Sequence, residues 1–464
     1  PARANPPRLH NPTEHTMKKF DVVIIGGSAA GLTAAVTARR HYPEKSVLLV
    51  RREAQVPIPC GITYVFGTVG DPQKNLMPDA LLEKNGIELL VAEATRIDVA
   101  TKTVDTSAGP VAYDRLVLAT GSSPSNPRIP GADLDGVFTV RKDVAYLRQM
   151  QERLASARHV VIIGGGFIGI ELADEINKLD GKQVAIVEVA EHCLNLAYDE
   201  EFCVRMEAHV RGRGVAIRTG AKVERLEGAG RVERAVLSGG ETLPADFVIL
   251  AVGVVANAEL ARAAGIEVGR HTGAIKVDQA MRTFSPDVFA CGDCAKKISF
   301  FGGIPSYLRL ASIATSEARI AGANLYGIRR ENIGTVGVWS TAVGDLAMGT
   351  AGLTETMARA QGYDVVATSV EGPNRHPGGM PGATATMVKL VFERHSGVIL
   401  GGQVAGDVAA GEIINMLSAC IQGQMTADQM ATFQLGTHPL LTASPVAYPI
   451  VNAAELAISK MQKG

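Results

Sequence analysis

The sequence predicts an α/β chain with two parallel-sheet units followed by a third region of mixed α+β character. Three observations lead there. From Phe20 the chain reads FDVVIIGGSAAGLTAAVTARR: an apolar strand, a glycine turn, an alanine-rich helix. From His159 it reads HVVIIGGGFIGIELADEINKL, the same grammar a second time. After about Gly327 the pattern changes to mixed strands and helices around a Gly/Pro-rich loop, residues 372–382. Strands alternating with helices form parallel sheets under helical cover, and the last region reads as a separate domain.

The 464 residues suit about three domains, and 46% hydrophobic content supplies a core for each. The 46 basic and 47 acidic residues are well mixed, for a net charge of −1, which excludes the one-sided basic footprint of a nucleic-acid binder. Six cysteines, mostly far apart, do not make a disulfide scaffold, and a reducing cytoplasm fits them best. The most apolar stretch, 440–458, contains Pro445, Pro449, Asn452 and Glu455. It reads as a buried or subunit-facing segment, not a membrane span. Residues 1–16 have neither the apolar core of a signal peptide nor any periodicity, and read as a tag or disordered extension before Met17.

In chain order, the first glycine turn is Gly26-Gly27-Ser28-Ala29-Ala30-Gly31, with Ser28 small enough to stand where a glycine is usual. Gly26, Ser28, Ala29 and Gly31 are candidates for holding a pyrophosphate at the helix N-terminus. The next strand runs into Arg51 and Arg52, so the ribose-binding acid is displaced to Glu53. Ala119-Thr120-Gly121 closes a later strand, making Thr120 and Gly121 accessory candidates.

The second glycine turn, Gly164-Gly165-Gly166-Phe167-Ile168-Gly169, has G-x-G-x-x-G spacing directly after a strand. Gly164 permits the tight turn, Gly166 lets backbone approach a pyrophosphate, and Gly169 lets helix and strand pack closely. Glu188, 24 positions after Gly164, ends the following strand where a carboxylate accepts from both ribose hydroxyls. Val189 and Ala190 offer no cation for a 2′-phosphate, which favours NADH over NADPH. Gly253, in ADFVILAVG, closes the matching accessory strand, and Ala290-Cys291-Gly292-Asp293 sets Asp293 against a ribityl chain. Two dinucleotide motifs with such accessory turns point to two Rossmann-like domains, one for FAD and one for NADH, with NADPH the alternative donor.

Cys60 lies in Val-Pro-Ile-Pro-Cys-Gly-Ile-Thr-Tyr, just after the first unit's second strand, where a thiol meets an isoalloxazine. Five positions on stands Val65, so there is no dithiol pair, and the chemistry is that of one cysteine assisted by Tyr64. A small buried hydrophobe is the competing reading, against which stand the flanking prolines. Cys291 and Cys294 form a C-x-x-C, but they straddle Asp293 and need no redox role. Cys193, Cys203 and Cys420 read as structural. No His/Cys/Asp/Glu spacing suggests a metal.

On these motifs the chain resembles the FAD-dependent pyridine nucleotide-disulfide oxidoreductases, in their single-cysteine branch of coenzyme A-disulfide reductases, persulfide reductases, and NADH oxidases and peroxidases. PCGITY around Cys60, GGGFIGIE from Gly164, LNLAYDEEF from Leu194, FACGDCA from Phe289 and ASIATSEARIAGANLYG from Ala311 carry the resemblance, as do GGQVAG from Gly401 and ACIQGQMTADQMATF from Ala419. It implies FAD binding by 17–140 with 256–330, NAD binding by 141–255, and dimerisation by 331–464. It further implies a homodimer with shared active sites, Ala311 beside the flavin, and Glu171 near a nicotinamide that Phe167 gates.

The implied activity is NADH-dependent reduction of coenzyme A disulfide, a persulfide or a polysulfide, with coenzyme A as substrate or ligand. Oxidase and peroxidase members carry a histidine in their first glycine loop, where this chain has Ser28-Ala29-Ala30. The coenzyme A-disulfide reductases place a tyrosine in a Tyr-Ala-Pro-Pro run, where this chain has Gly436-Thr437-His438-Pro439. His438 becomes the candidate proton donor across the dimer. Alternatives are an NADH oxidase, an NADH-dependent quinone or metal-ion reductase, and a flavin-bearing redox sensor.

Overall fold

A computed structural model describes residues 17–463, so the segment 1–16 lies outside the described residues. The first unit opens with β1 (Lys18–Ile25), whose apolar run suits a strand covered on both faces, followed by α1 (Ala29–His41). β1 pairs in parallel with Val47–Arg51 on one side and with β2 (Gly109–Leu118) on the other. Glu88–Val91 extends this sheet at one edge, and an antiparallel pair of strands, Ala94–Asp98 and Thr103–Thr106, extends it beyond β2.

The second unit repeats the construction with β3 (His159–Ile163), α2 (Phe167–Asn177), β4 (Gln183–Val187) and β5 (Phe247–Leu250). Its five strands are all parallel, in the order Ala216–Arg218, β4, β3, β5, Val137–Thr139. Val137–Thr139 lies ahead of position 140, where the sequence suggested the boundary. The chain returns through β6 (Val288–Ala290), which pairs with β2, and α3 (Ala311–Asn324), which packs on α1. That packing is close because small residues line it: a Cβ at Gly322 would stand 2.7 Å from the Ala34 carbonyl oxygen.

The two crossings between the units are stitched together. Ser122–Pro124 pairs antiparallel with Val254–Ala256. Thr120 Oγ1 donates to the Asn257 carbonyl at 2.6 Å, and Asn257 Nδ2 donates back to the Thr120 carbonyl at 3.0 Å. The second unit is therefore an insertion held at one double-stranded neck.

The third region is a five-stranded antiparallel sheet that begins with β7 (Val338–Val343) and continues, in spatial order, through Leu346–Gly352, Ile399–Gly406, Ala385–Glu393 and Val365–Pro373. Helices Ala410–Gln422 and Pro449–Gln462 cover it over a core that includes Leu390, Phe392, Val404, Ile414 and Leu417. A buried charge cluster fixes this domain to the second unit. Lys389 Nζ stands 3.0 Å from Asp199, 3.0 Å from Glu355 and 2.7 Å from Glu201, while Gln403 and Asp199 exchange two hydrogen bonds. Among the described residues no helix is long and apolar enough to cross a membrane.

Candidate active site

The two glycine turns are the same object built twice. A Cβ at Gly26 would meet the Ala119 carbonyl oxygen at 2.1 Å, and one at Gly31 would meet the Gly26 oxygen at 1.8 Å. In the second unit Gly164 faces the Ala251 oxygen at 2.5 Å, and Gly169 faces the Gly164 oxygen at 1.9 Å. Gly26 and Gly164 both have positive φ, at 114° and 111°, so glycine is required there for conformation as well as space.

Ser28 and Gly166 are the N-caps of α1 and α2, and neither helix has a side-chain cap. Ala29 and Phe167 are their first residues, so the first-turn N–H groups remain available to a phosphate. Around Gly166 a Cβ meets nothing within 4 Å, which is the open approach a pyrophosphate needs. Gly121 and Gly253 also have positive φ with open space beside them, one closing each accessory turn. These cradles fit one dinucleotide per unit.

At the ribose positions the units differ. Glu188 accepts from Gly165 N at 2.6 Å with one carboxylate oxygen and from Ala190 N at 2.8 Å with the other. Its carboxylate is thus oriented beside the turn, with lone pairs left for ribose hydroxyls. Glu53 is paired with Arg52 at 2.7 Å. Arg51 is buried, bonds both oxygens of Asp79 at 2.6 and 2.7 Å, and reaches the carbonyls of Glu53 and Ala54 at 2.8 Å. The arginine that displaced the ribose acid in sequence therefore shapes the loop that presents Glu53.

Asp293 sits in the turn Gly292–Cys294, wedged against α1 and α3: a Cβ at Gly292 would lie 2.8 Å from that of Ala30 and 3.6 Å from that of Ala314. Ser122 Oγ donates to Asp293 at 2.7 Å and Lys142 Nζ lies 3.6 Å away. Ala311 opens α3 beside this turn. Cys291 and Cys294 are buried beneath it, and the Cys294 thiol donates to the Leu118 and Cys291 carbonyls. They behave as packing residues.

Cys60 occupies a short 3₁₀ turn, Pro59–Gly61. Buried Asn75 holds the turn: its side chain donates to the Ile58 carbonyl at 3.0 Å, and it leaves no room for a Cβ at Gly61. Five cysteines are buried and Cys60 alone is exposed. Burial of one side of the thiol raises its pKa, Glu171 and Asp293 raise it further, and Lys142 opposes them. Tyr64, half-buried on the next turn, is pushed up to about 12 by burial and by the charges of Glu171, Glu175 and Asp174.

The segment after Cys60 is latched onto α2 at helical i, i+4 spacing. Thr63 donates to Glu171 at 3.1 Å, and Thr68 donates to Glu175 through its backbone and hydroxyl at 2.5 and 3.0 Å. Thr341, on β7, donates to the other oxygen of Glu171 at 3.0 Å. Burial raises the Glu171 carboxyl pKa while the two threonines lower it. All three domains therefore meet at one carboxyl group. Phe167 packs near both Trp339 and Tyr198, and Ile168 is exposed.

His438 is exposed in this chain, with its backbone N bonded to Thr442 Oγ1 and its Nδ1 accepting from Leu440 N at 3.3 Å. No hydrogen bond or ion pair joins it to Cys60 among the described residues. The 372–382 loop is tied in place: His376 bonds the Pro439 and Thr442 carbonyls, Asn374 bonds Asp407, and Arg375 folds back onto the Pro381 carbonyl.

Residues 20–318 match the family described as pyridine nucleotide-disulphide oxidoreductase, and residues 338–447 match its dimerisation domain. An NAD(P)H coenzyme A polysulfide/persulfide reductase of Pyrococcus horikoshii is 34% identical, over 95% of this chain and 98% of its own length. An NADH oxidase of Methanocaldococcus jannaschii is 31% identical over 95% and 99%. Among solved structures, an NAD-dependent persulfide reductase from A. fulgidus superposes with a TM-score of 0.89 at 31% identity, covering 96% of this chain and 84% of that one.

Proposed function

The chain belongs to the pyridine nucleotide-disulphide oxidoreductases, and on that premise we propose that it is an NADH-dependent FAD flavoenzyme reducing coenzyme A disulfide, persulfide or polysulfide substrates through Cys60 alone. One observation carries the choice of thiol: Cys60 is the single exposed cysteine, on the segment that Thr63 ties to Glu171. We assign FAD to the first unit, NADH to the second unit, which begins with the strand Val137–Thr139, and dimerisation to 331–464. A reducing compartment such as the cytoplasm suits a working free thiol.

FAD, when bound, supplies two-electron transfer between a hydride donor and a thiol partner. Gly26, Ser28, Ala29 and Gly31 hold one pyrophosphate, with Glu53, Thr120, Gly121, Asp293 and Ala311 around the rest of that group. Gly164, Gly166, Gly169 and Gly253 receive the donor, Glu188 orients its ribose, and Glu171 fixes the register between donor and Cys60. The Cys60 thiolate attacks a substrate sulfur and expels a thiol or hydrosulfide, forming a mixed disulfide on Cys60. Two electrons from one NADH return the thiolate, so NADH, one proton and RSSR give NAD⁺ and two RSH. Tyr64 remains protonated at working pH and donates a hydrogen bond beside the reacting sulfur, and His438 of the partner subunit supplies the proton to the leaving group.

A second reading, an NADH oxidase, has the M. jannaschii relative in its favour and the histidine-free first glycine loop against it. NADH consumption measured against disulfides, persulfides, dioxygen, quinones and metal ions separates the two, and a redox sensor turns over none of them. Sulfur acceptors should lead the panel, and NADH should be preferred to NADPH by at least ~10-fold, about 1.4 kcal/mol. Cys60→Ser should keep FAD and its bleaching by NADH but lose sulfur turnover. Undiminished turnover in that variant removes Cys60 from the reaction.

A further inference from the structure

A dinucleotide held at Gly164–Gly169 must deliver its hydride toward the Cys60 side of the molecule. The line of delivery passes the face of α2 that bears Phe167 and, one turn on, Glu171, whose carboxyl bonds Thr63 of the Cys60 segment. Phe167 is the first residue of that helix, one turn before Glu171. Its ring is seated against a residue from another domain, Trp339 on β7, with planes 6° apart and centroids 6.1 Å apart. Tyr198 is a second aromatic neighbour, at 6.0 Å and 50°.

The indole is itself held. A Cβ at Gly337 would meet two of its ring carbons at 2.4 and 2.5 Å, so the absence of a side chain there is what lets the ring lie flat. Strand alternation puts Trp339 and Thr341 on the same face of β7, so one strand touches both Phe167 and Glu171. Tyr198 is buried, and its hydroxyl has no hydrogen-bond partner among the described residues.

We infer that Trp339 is a positioning residue: it holds Phe167 in a resting seat across the nicotinamide passage, so that donor binding is coupled to the third domain through a stack that must open. The inference rests on the second unit being the NADH site. It assigns no chemistry to the indole, which acts only through Phe167.

The chain has one tryptophan, so its emission reports this position alone. The test uses FAD-loaded oxidised enzyme and NAD⁺, which binds without turnover. Saturation with NAD⁺ should change Trp339 emission over the same concentrations at which calorimetry records binding. Phe167→Ala should abolish the emission change and retain binding.

Losing the stack lowers the cost of opening. Trp339→Ala and Phe167→Ala should therefore each tighten NAD⁺ by roughly two- to tenfold, and the double variant should gain no more than either. Trp339→Phe, which keeps a stacking ring, should stay near the parent and guards against a folding defect in the alanine variant. Flat emission at calorimetric saturation, additive effects in the double variant, or weaker binding in Trp339→Ala each overturns the seat while leaving the NADH site standing. Absence of any NAD⁺ or NADH binding overturns both.

Discussion

At Cys60 the neighbouring charges pull in opposite directions, and each can be removed separately. Burial, Glu171 and Asp293 raise the thiol pKa, and Lys142 lowers it. Only thiolate attacks sulfur, so the rate at neutral pH follows the thiolate fraction. Lys142→Gln removes the stabilising cation, raises the thiol pKa and should move the acidic limb of kcat/KM for disulfide to higher pH. Turnover at pH 7 should fall roughly fivefold, the equivalent of about 1 kcal/mol of attraction through solvent. Glu171→Gln removes an opposing charge while keeping hydrogen-bonding atoms for both threonines, and should move the same limb to lower pH. Limbs that stay fixed, or that shift together, would detach the two residues from the thiol. Cys60 and Glu171 were legible in the sequence because each sits in a local motif. Lys142 was not, because it becomes a neighbour only when the neck of the second unit brings it to Asp293.

The helix that follows each glycine turn was readable for a different reason. Backbone crowding at Gly26, Gly31, Gly164 and Gly169 is set by residues a few positions apart or by the adjacent accessory turn, so it leaves a fixed glycine spacing in the sequence. What Glu171 does on α2 was not readable, since Thr63 and Thr341 reach it from 108 and 170 positions away. The same separation hid Trp339. The two glycines at the start of α2 should respond oppositely to an added methyl group. Gly169→Ala drives a methyl group into the Gly164 oxygen and should cost about 1–3 kcal/mol of stability, seen as a lower midpoint of unfolding. Gly166→Ala finds open space, so it should unfold like the parent yet bind NADH roughly tenfold more weakly, because its methyl fills the pyrophosphate approach. Equal binding in the two variants would mean that the donor does not lie on this turn.

For the whole molecule, the cluster of Lys389, Asp199, Glu201 and Glu355 ties the second unit to the third domain. Only the Leu194–Phe202 run hinted at it, because a buried lysine shared by two domains has no local pattern. At the tip beyond Gly436, Leu440, Leu441 and Val446 are exposed in one chain, as a subunit-facing segment would be. There the Leu440 N–H donates to His438 Nδ1, so Nε2 is the ring nitrogen left to carry and release a proton. If His438 serves Cys60 of the partner subunit, complementation follows from geometry. A heterodimer of a Cys60→Ser chain with a His438→Ala chain places the intact Cys60 opposite the intact His438, so one of its two sites is whole. Such heterodimers, isolated with two different affinity tags, should recover about half the sulfur turnover of the parent dimer, with both mutant homodimers far below it. If both groups instead act within one chain, neither site in the heterodimer is whole, and its activity stays at the level of the His438→Ala homodimer or lower. A His438→Ala homodimer that reoxidises as fast as the parent removes the imidazole from the reaction altogether.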